Sequence, residues 1–394
     1  MRCVDLFAGC GGMSLGFINA GFEVVAAVDN WDAALSCYEN NFPHPVFSLD
    51  LQDWKDATKT IGHFNPEIII GGPPCQDFSN AGNRTEGRRA QLTVSFARII
   101  TELKPAFFVM ENVERVHKSE AYKKARKILK TAGYGLTEKV LNASYCGVPQ
   151  NRKRFFCVGA MNKEDGFLDG ILSSNLSEIP LTVREALGNK INFEYYYRHP
   201  RTYGRRGIFS VDEPAPTIRG SNRPLPPEYK KHDNDAISPS EGVRSLTFRD
   251  RALIQTFPEN FNWLDSATTN NQLIGNAVPV NLANYVAKCI MDFVNNRYDS
   301  HDVGFVDWLK MQKNYSPRAA SDVLSRFRRI NRIFNSNNIE IDNISSLSIL
   351  EQTEDFQKCT KSVKSQLKRA YILHEEYINT CKKNGGITIC QSIK

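Results

Sequence analysis

One stretch constrains the fold more than any other: Ile68-Ile69-Ile70-Gly71-Gly72-Pro73-Pro74-Cys75-Gln76-Asp77-Phe78-Ser79. Its β-branched apolar run reads as a buried parallel strand. Two glycines let the chain turn and admit a close neighbour. Two prolines then stiffen the exit, since each fixes its own φ and restricts the residue before it. The product is a thiol, Cys75, on a rigid loop at the carboxyl end of a strand. Open α/β sheets place their chemistry there. Free cysteines are usually packing residues, but a packing cysteine needs no Gly-Gly-Pro-Pro frame.

The N-terminal part reads as a nucleotide-type unit. Residues 3–7 form a strand, Ala8-Gly9-Cys10-Gly11-Gly12 a glycine turn and residues 13–20 a helix, so turn amides face a ligand. A dinucleotide fingerprint would need a third glycine where Ser14 stands. A second strand, 23–28, ends in Asp29-Asn30-Trp31. Asp29 can accept hydrogen bonds from a ribose or cap the helix 33–40, and both roles can coexist. Leu49-Asp50-Leu51 reads as the end of a third short strand.

Residues 77–91, with Gly82, Gly87, Arg84, Arg88 and Arg89, read as a lid that meets phosphates. A helix over 93–103 leads to a strand over 106–110, followed by Glu111-Asn112-Val113. A glutamate at a buried strand end is costly without a partner or a task. A basic helix, 121–132, and a strand, 136–141, precede Gln150-Asn151-Arg152-Lys153-Arg154. On an extended segment Gln150, Arg152 and Arg154 would share one face. Residues 160–180 lack pattern and read as a linker. From 181 to 243, aromatic and basic residues alternate with glycines and prolines, which suits a nucleic-acid face.

Several of these segments carry a resemblance. Gly72-Pro73-Pro74-Cys75-Gln76 resembles the nucleophile motif of the DNA (cytosine-5)-methyltransferases, and Asp5-Leu6-Phe7-Ala8-Gly9-Cys10-Gly11-Gly12 resembles their S-adenosylmethionine turn. Glu111-Asn112-Val113 and Gln150 to Arg154 resemble two further motifs, and Thr217-Ile218 a short turn of the target-recognition domain. Residues 244–258 and Gln272 to Pro279 resemble the last two, so the likeness covers about residues 1–295 in order.

The resemblance implies an α/β fold: a Rossmann-like parallel sheet of the S-adenosylmethionine-dependent methyltransferases, a smaller target-recognition domain and a C-terminal helical appendage. The expected boundaries are 1–175 for the catalytic and cofactor domain, 176–265 for recognition, 266–299 for the return to the catalytic domain and 300–394 for the helical extension. It implies Cys75 as nucleophile, Glu111 on N3 of the target cytosine, Arg152 supporting the site and Arg154 on the ring oxygen. The expected cofactor, S-adenosylmethionine, is held by Phe7, Ala8, Gly9, Gly11, Gly12, Asp29, Asn30, Asp50, Pro73, Asn276 and Val278. Asn30 stands where the family has a bulky apolar adenine contact, so Trp31 shares that role. Ser79, Arg84, Arg89, Thr217 and Arg219 are the expected DNA contacts.

The implied reaction is methylation of C5 of a flipped cytosine in a specific sequence of double-stranded DNA, as in bacterial restriction–modification. A transfer-RNA cytosine-5 methyltransferase shares the core motifs, but the Cys-Phe-Thr element of that branch is absent. A non-catalytic DNA-binding relative would not keep every reactive position. A nicotinamide dehydrogenase leaves Cys75 and Glu111 unexplained, and an exocyclic-amine methyltransferase would carry Asp/Asn-Pro-Pro-Tyr/Phe.

Composition agrees. The net charge of +7 suits a polyanionic partner, and residues 300–394 hold 15 Lys and Arg against 10 Asp and Glu. Ten cysteines without a C-x-x-C pair argue against zinc and fit a reducing cytoplasm. No apolar run has membrane length. The expectation is a monomeric bacterial cytoplasmic protein, nucleoid-associated through DNA, with a cognate restriction endonuclease as candidate partner. In the tail, Trp308, Val323, Leu324, Phe327, Ile330 and Phe334 keep helical spacing, with Arg326, Arg328, Arg329 and Arg332 largely off that stripe. This leaves a packed appendage or an added DNA-binding module as alternatives.

Overall fold

The computed structural model describes residues 1–74, 90–200, 204–239, 242–295, 300–336 and 345–383. The chain divides into two compact units: Met1–Phe167 with Ser177–Lys288, and Leu168–Leu176 with Cys289–Lys394.

The first unit is built on strands β1 (Arg2–Leu6), β2 (Glu23–Asp29), β3 (Val46–Ser48), β4 (Ile68–Gly71), β5 (Phe107–Val113) and β6 (Tyr134–Asn142). The short β7 (Gln150–Asn151) follows, then the long β8 (Lys153–Met161). Helices α1 (Gly12–Asn19), α2 (Asp32–Glu39), α3 (Trp54–Gly62), α4 (Ala90–Leu103) and α5 (Glu120–Thr131) connect the first strands. Among the described residues seven strands make one sheet, in the order β3-β2-β1-β4-β5-β8-β6. β1 to β5 pair in parallel, while β8 runs antiparallel to both β5 and β6. The sheet is therefore mostly, not wholly, parallel. Successive connections leave β1 towards β2 on one side and arrive at β4 on the other, which makes the β1–β4 boundary the topological switch point.

The reasons are local. Ile68, Ile69 and Ile70 are fully buried, as expected of a central strand covered on both faces. Helices α3, α4 and α5 bury one apolar side each (Ala57 and Ile61, Phe96 and Ile100, Ala125 and Leu129), packed in the same core cluster as β1 and β4. Gly16 of α1 sits against Ala283 and the Val280 carbonyl so closely that a Cβ would lie 2.5 Å and 2.6 Å from them. The family-like segment near residue 280 thus lies against the first helix.

Residues 177–288 complete this unit with α7 (Val183–Leu187), β9 (Tyr195–Tyr197), β10 (Ile208–Ser210), β11 (Ala215–Pro216), β12 (Arg244–Ser245), α8 (Phe248–Ile254), α9 (Ala267–Asn276) and the greater part of α10 (Val280–Val294). A small sheet runs β10-β9-β12, and β11 pairs with β7. Tyr196, Ile218, Phe257 and Ile274 share one core cluster with Ala8, Ala27 and Tyr38.

The second unit is helical. It holds α6 (Asp169–Ser174), α11 (Ser300–Lys313), α12 (Pro317–Ser336), α13 (Ser345–Gln352), α14 (Glu354–Gln357) and α15 (Lys361–Lys383). Its core joins Phe305, Leu324, Phe327, Ile330, Phe334, Leu367 and Tyr371. Phe327 stacks on His374 with ring centroids 3.6 Å apart. The apolar positions at helical spacing fall on two helices, Trp308 on α11 and Val323 to Phe334 on α12, because Pro317 starts a new one. Residues 169–174, read as linker, form a helix whose Leu172 is fully buried.

Candidate active site

The sheet order puts the motif residues in a row. Asp50 lies just past β3, Asp29 ends β2, Phe7 to Gly9 follow β1, Gly72 and Pro73 follow β4, and Glu111 is near the end of β5. All stand at the carboxyl ends of neighbouring parallel strands, on both sides of the switch point.

The glycine turn opens on strained backbone. Phe7 has φ 60°, a left-handed conformation rare for an aromatic residue and typical of sites held for function. Gly9, at φ 55°, would direct a Cβ into open space, so no packing neighbour demands its glycine. The Asp29 carboxylate holds this turn: Gly9 N donates to Oδ2 at 2.8 Å, and Asn30 N and Trp31 N donate to Oδ1 at 2.8 Å and 3.0 Å. A carboxylate has about four lone-pair positions, so three amides leave room for one more donor. Helix α2 has Trp31 as N-cap, without a side-chain cap bond. Asp29 is thus a brace between two loops rather than the cap residue. Asp50 is exposed and accepts from Gln52 N at 2.9 Å. It lies beyond β3, not at the end of a strand over 49–51, because pairing with β2 stops at Ser48. Asn30 and Asn276 are exposed, and Ala8 and Val278 are buried. Gly12 packs so tightly on the Val278 carbonyl that a Cβ would lie 2.3 Å from it.

Beneath the turn runs a buried polar chain. Ser14 Oγ donates to Asp5 Oδ2 at 2.6 Å, Tyr38 OH donates to Ser14 Oγ at 2.7 Å, and His44 Nε2 lies 2.7 Å from Tyr38 OH. Burial pushes the Asp5 carboxyl up to about 7; the Ser14 hydrogen bond opposes this, and nearby Asp29 adds to it.

At the catalytic edge, Glu111 is inside β5 rather than after it. The reason is β8, which continues the ladder to Val113 opposite Arg154. Because β8 is antiparallel, its first residues lie at the carboxyl edge of β5. Residues two apart on a strand share a face, so Glu111 and Arg154 are diagonal neighbours. Arg154 Nε is 2.9 Å from Glu111 Oε1, an ion-pair distance without hydrogen-bond alignment. Burial raises the Glu111 carboxyl above its ordinary value, and Arg154 and Arg152 pull it partly back. Glu111 Oε2 would be 3.2 Å from a Cβ on Gly72, so a larger residue there would crowd the carboxylate. Asn112 Nδ2 donates to the Pro73 carbonyl at 2.9 Å and fixes the proline exit to β5. Cys75, Ser79, Arg84 and Arg89 lie outside the described residues.

Gln150, Arg152 and Arg154 do not share one environment. Arg152 falls between β7 and β8, where the extended run is interrupted. Its guanidinium is 2% exposed and donates to the carbonyls of Ile218 (2.9 Å), Gly275 (3.2 Å) and Ala277 (2.9 Å). Gln150 accepts from Ile218 N at 2.9 Å and donates to Gln255 Oε1 at 2.7 Å; Gln255 in turn donates to Ile274 O at 2.6 Å. Thr217 Oγ1 donates to Asn151 O at 2.8 Å. Arg219 donates to His199 O and accepts at its own carbonyl from buried Arg251.

The family profile described as C-5 cytosine-specific DNA methylase matches residues 1–292. The chain belongs to that family. Among its relatives, the Type II methyltransferase M.HindV of Haemophilus influenzae is 52% identical over 295 residues, covering 74% of this chain and 97% of the relative. M.HgiDI of Herpetosiphon aurantiacus is 51% identical over 296 residues, covering 75% and 96%. Solved structures agree in fold. A DNA modification methyltransferase encoded within an E. coli prophage superposes with TM-score 0.56 at 23% identity, over 75% of this chain and 99% of that one. Dnmt2 of S. pombe gives 0.59 at 20% identity, over 75% and 99%.

This DNA methylase uses S-adenosylmethionine, and the residues present fit it. The open space at Gly9, the left-handed Phe7 and the acceptors Asp29 and Asp50 suit a cofactor rich in hydroxyl and amino donors. Among the described residues no group of His, Cys, Asp and Glu could hold a metal ion, and no helix is long and apolar enough to cross a membrane. Gln255, Asn112, Ser14 and Tyr38 are polar residues of this centre to which the sequence assigned no role. A lone glutamine in the run Leu253-Ile254-Gln255 was the available signal for the first. The partners of Ser14 and Tyr38 lie on other elements and leave no local signal.

Proposed function

We propose that the enzyme methylates C5 of one cytosine within a specific duplex sequence, as the modification half of a restriction–modification pair. The observation that carries the site assignment is Glu111: a nearly buried carboxyl, raised by burial, beside Arg154 and directly against the Gly72-Pro73 exit that leads to Cys75.

S-adenosylmethionine supplies an electrophilic methyl group on its sulfonium when bound. Phe7, Ala8, Gly9, Gly11 and Gly12 hold it, with Asp29 on the ribose, Asp50 on the adenine amino group, and Asn30, Pro73, Asn276 and Val278 completing the pocket. C5 of cytosine is a poor nucleophile. Addition of the Cys75 thiolate to C6 breaks the ring's aromaticity and makes C5 enamine-like. Glu111, whose carboxyl burial raises above its ordinary value, stabilises the ring by its contact at N3, and Arg154 stabilises charge at the ring oxygen. Arg152 touches no substrate; it positions the Thr217-Ile218 turn and the Gly275–Ala277 turn around the site. The base is out of reach in a duplex and must be flipped out. Residues 181–243 choose the sequence, with Thr217 and Arg219 at the DNA and Ser79, Arg84 and Arg89 as further DNA contacts. The protein works as a bacterial cytoplasmic monomer, on the nucleoid, beside a restriction endonuclease of the same specificity.

Duplex DNA carrying 5-fluorocytosine tests this. Once C5 carries the methyl group, loss of the C5 proton expels the Cys75 thiolate and restores the ring; fluorine at C5 blocks this elimination, so the wild type forms a covalent complex and Cys75→Ser forms none and transfers no methyl groups. Full turnover by Cys75→Ser would remove the nucleophile from the scheme.

A further inference from the structure

The helical unit is where this chain exceeds its relatives. The family match ends at residue 292, and two relatives matched over 97% and 96% of their own length cover only 74% and 75% of this chain. Its core is apolar, so cations on its outside are not needed to hold it together.

Helix α15 nevertheless starts with Lys361, Lys364, Lys368 and Arg369, and has no acidic residue in its first turn. Cations near a helix N-terminus oppose its dipole, which favours acids there. Packing leaves this cost unexplained. Residues 361, 364 and 368 fall on one face by helical spacing, opposite buried Ala370 and Tyr377. Beside that face is a cleft of about 620 Å³ lined by Lys313, Tyr315, Lys368, Arg369, Ile372 and Glu376. Lys313 pairs with Glu376 at 2.6 Å, Lys368 pairs with Glu351, and Arg369 donates to Tyr315 OH at 3.0 Å. Exposed ion pairs are worth at most about 1 kcal/mol, so a polyanion can displace these carboxylates. A protein partner would call for apolar surface around the cations, and among the described residues of α15 only Ile372 is a large exposed apolar side chain. Of the arginines that stood out in the sequence, Arg326, Arg328 and Arg329 are half-buried and Arg332 is exposed, and Arg329 donates to the Cys359 sulfur at 3.3 Å.

We propose that the α15 face, with the cleft of Lys313 and Arg369, is a sequence-independent contact for the phosphate backbone of duplex DNA outside the recognised sequence. It rests on DNA being the substrate and adds a second DNA surface to the one under the catalytic reading.

The test uses the full chain and a duplex of A·T pairs only, which holds no target cytosine. Each phosphate contact contributes about 0.9 to the log–log salt slope of binding. The variant Lys361→Gln with Lys368→Gln and Arg369→Gln should flatten that slope by about 2 to 3 and weaken low-salt binding about tenfold or more. Bisulfite sequencing should show the methylated sequence unchanged. The charge-preserving variant Lys361→Arg with Lys368→Arg and Arg369→Lys should keep the wild-type slope. Equal slopes for wild type and the Gln variant overturn the proposal, as does an equal loss in the charge-preserving variant. A Gln variant that keeps the DNA slope but loses binding to polyglutamate would assign the face to an acidic protein instead. Failure of the catalytic reading has a different signature: no methylated cytosine in any variant, whatever the slope.

Discussion

Arg152 in the catalytic unit and Lys361, Lys368 and Arg369 in the helical unit are opposite uses of positive charge. Arg152 is sealed from water and meets three main-chain carbonyls from two separate turns. Of the α15 cations, Lys361 and Arg369 are exposed and Lys368 is half-buried; Lys368 pairs with Glu351 and Arg369 donates to Tyr315 OH. A buried guanidinium holds chain segments in place, because losing it strands several acceptors at once. Surface cations hold little together and remain available to a partner. The comparison also follows kinship: Arg152 lies within the family match, α15 outside it.

The comparison can be broken at several points. Arg152→Ala should lower the unfolding free energy by roughly 3 to 5 kcal/mol, since three carbonyls lose a charged donor together. Urea unfolding with an unchanged midpoint would make the buried hub dispensable.

Asp5 gives the next effect, and it depends on pH. Its folded value of about 7 lies above the ordinary 3.8, so the fold prefers the protonated acid. That contribution is complete below pH ~4 and disappears as pH rises to about 7, a loss of up to roughly 4 kcal/mol. Asp5→Asn should flatten the decline in stability between pH 5 and 8. A parallel decline in the variant would place its origin elsewhere.

Thr217→Val keeps the side chain's shape and removes the hydrogen bond to Asn151 O, so about 1 kcal/mol of stability should go, read by thermal unfolding. An effect three times larger would mean the turn depends on that hydroxyl far more than its single bond suggests.

Lys361→Gln should be smallest, within about 0.5 kcal/mol of wild type in unfolding, while the salt slope of DNA binding falls by about 0.9. A large stability loss there would erase the contrast between buried and exposed charge.

Much of this was legible in the chain. Helix α10, Val280–Val294, is one such element, because Leu282, Val286, Cys289, Ile290 and Phe293 keep a clear helical period in the sequence. The strand before Gly71 and the glycine turn after β1 were equally plain, since β-branched runs and glycines act locally. Three readings moved. Glu111 was placed after its strand but lies within it, as β8 pairs onward to Val113. Gln150, Arg152 and Arg154 were expected on one face, but the interruption at Arg152 sends two into the hub and one to Glu111. The stretch 160–180 was taken as linker, yet α6 belongs to the helical unit.

The sequence by itself determined the strand–turn–helix units, the Gly-Gly-Pro-Pro-Cys frame and the family, because each depends on residues adjacent in the chain or on motifs in order. Only the tertiary structure decided that β8 is antiparallel, and so that Arg154 reaches Glu111. It alone decided that Arg152 is buried while Lys361 is not. Strand direction and burial are set by contacts between residues far apart in sequence, such as Gly275 and Ala277 with Arg152. No local pattern encodes a partner more than a hundred residues away.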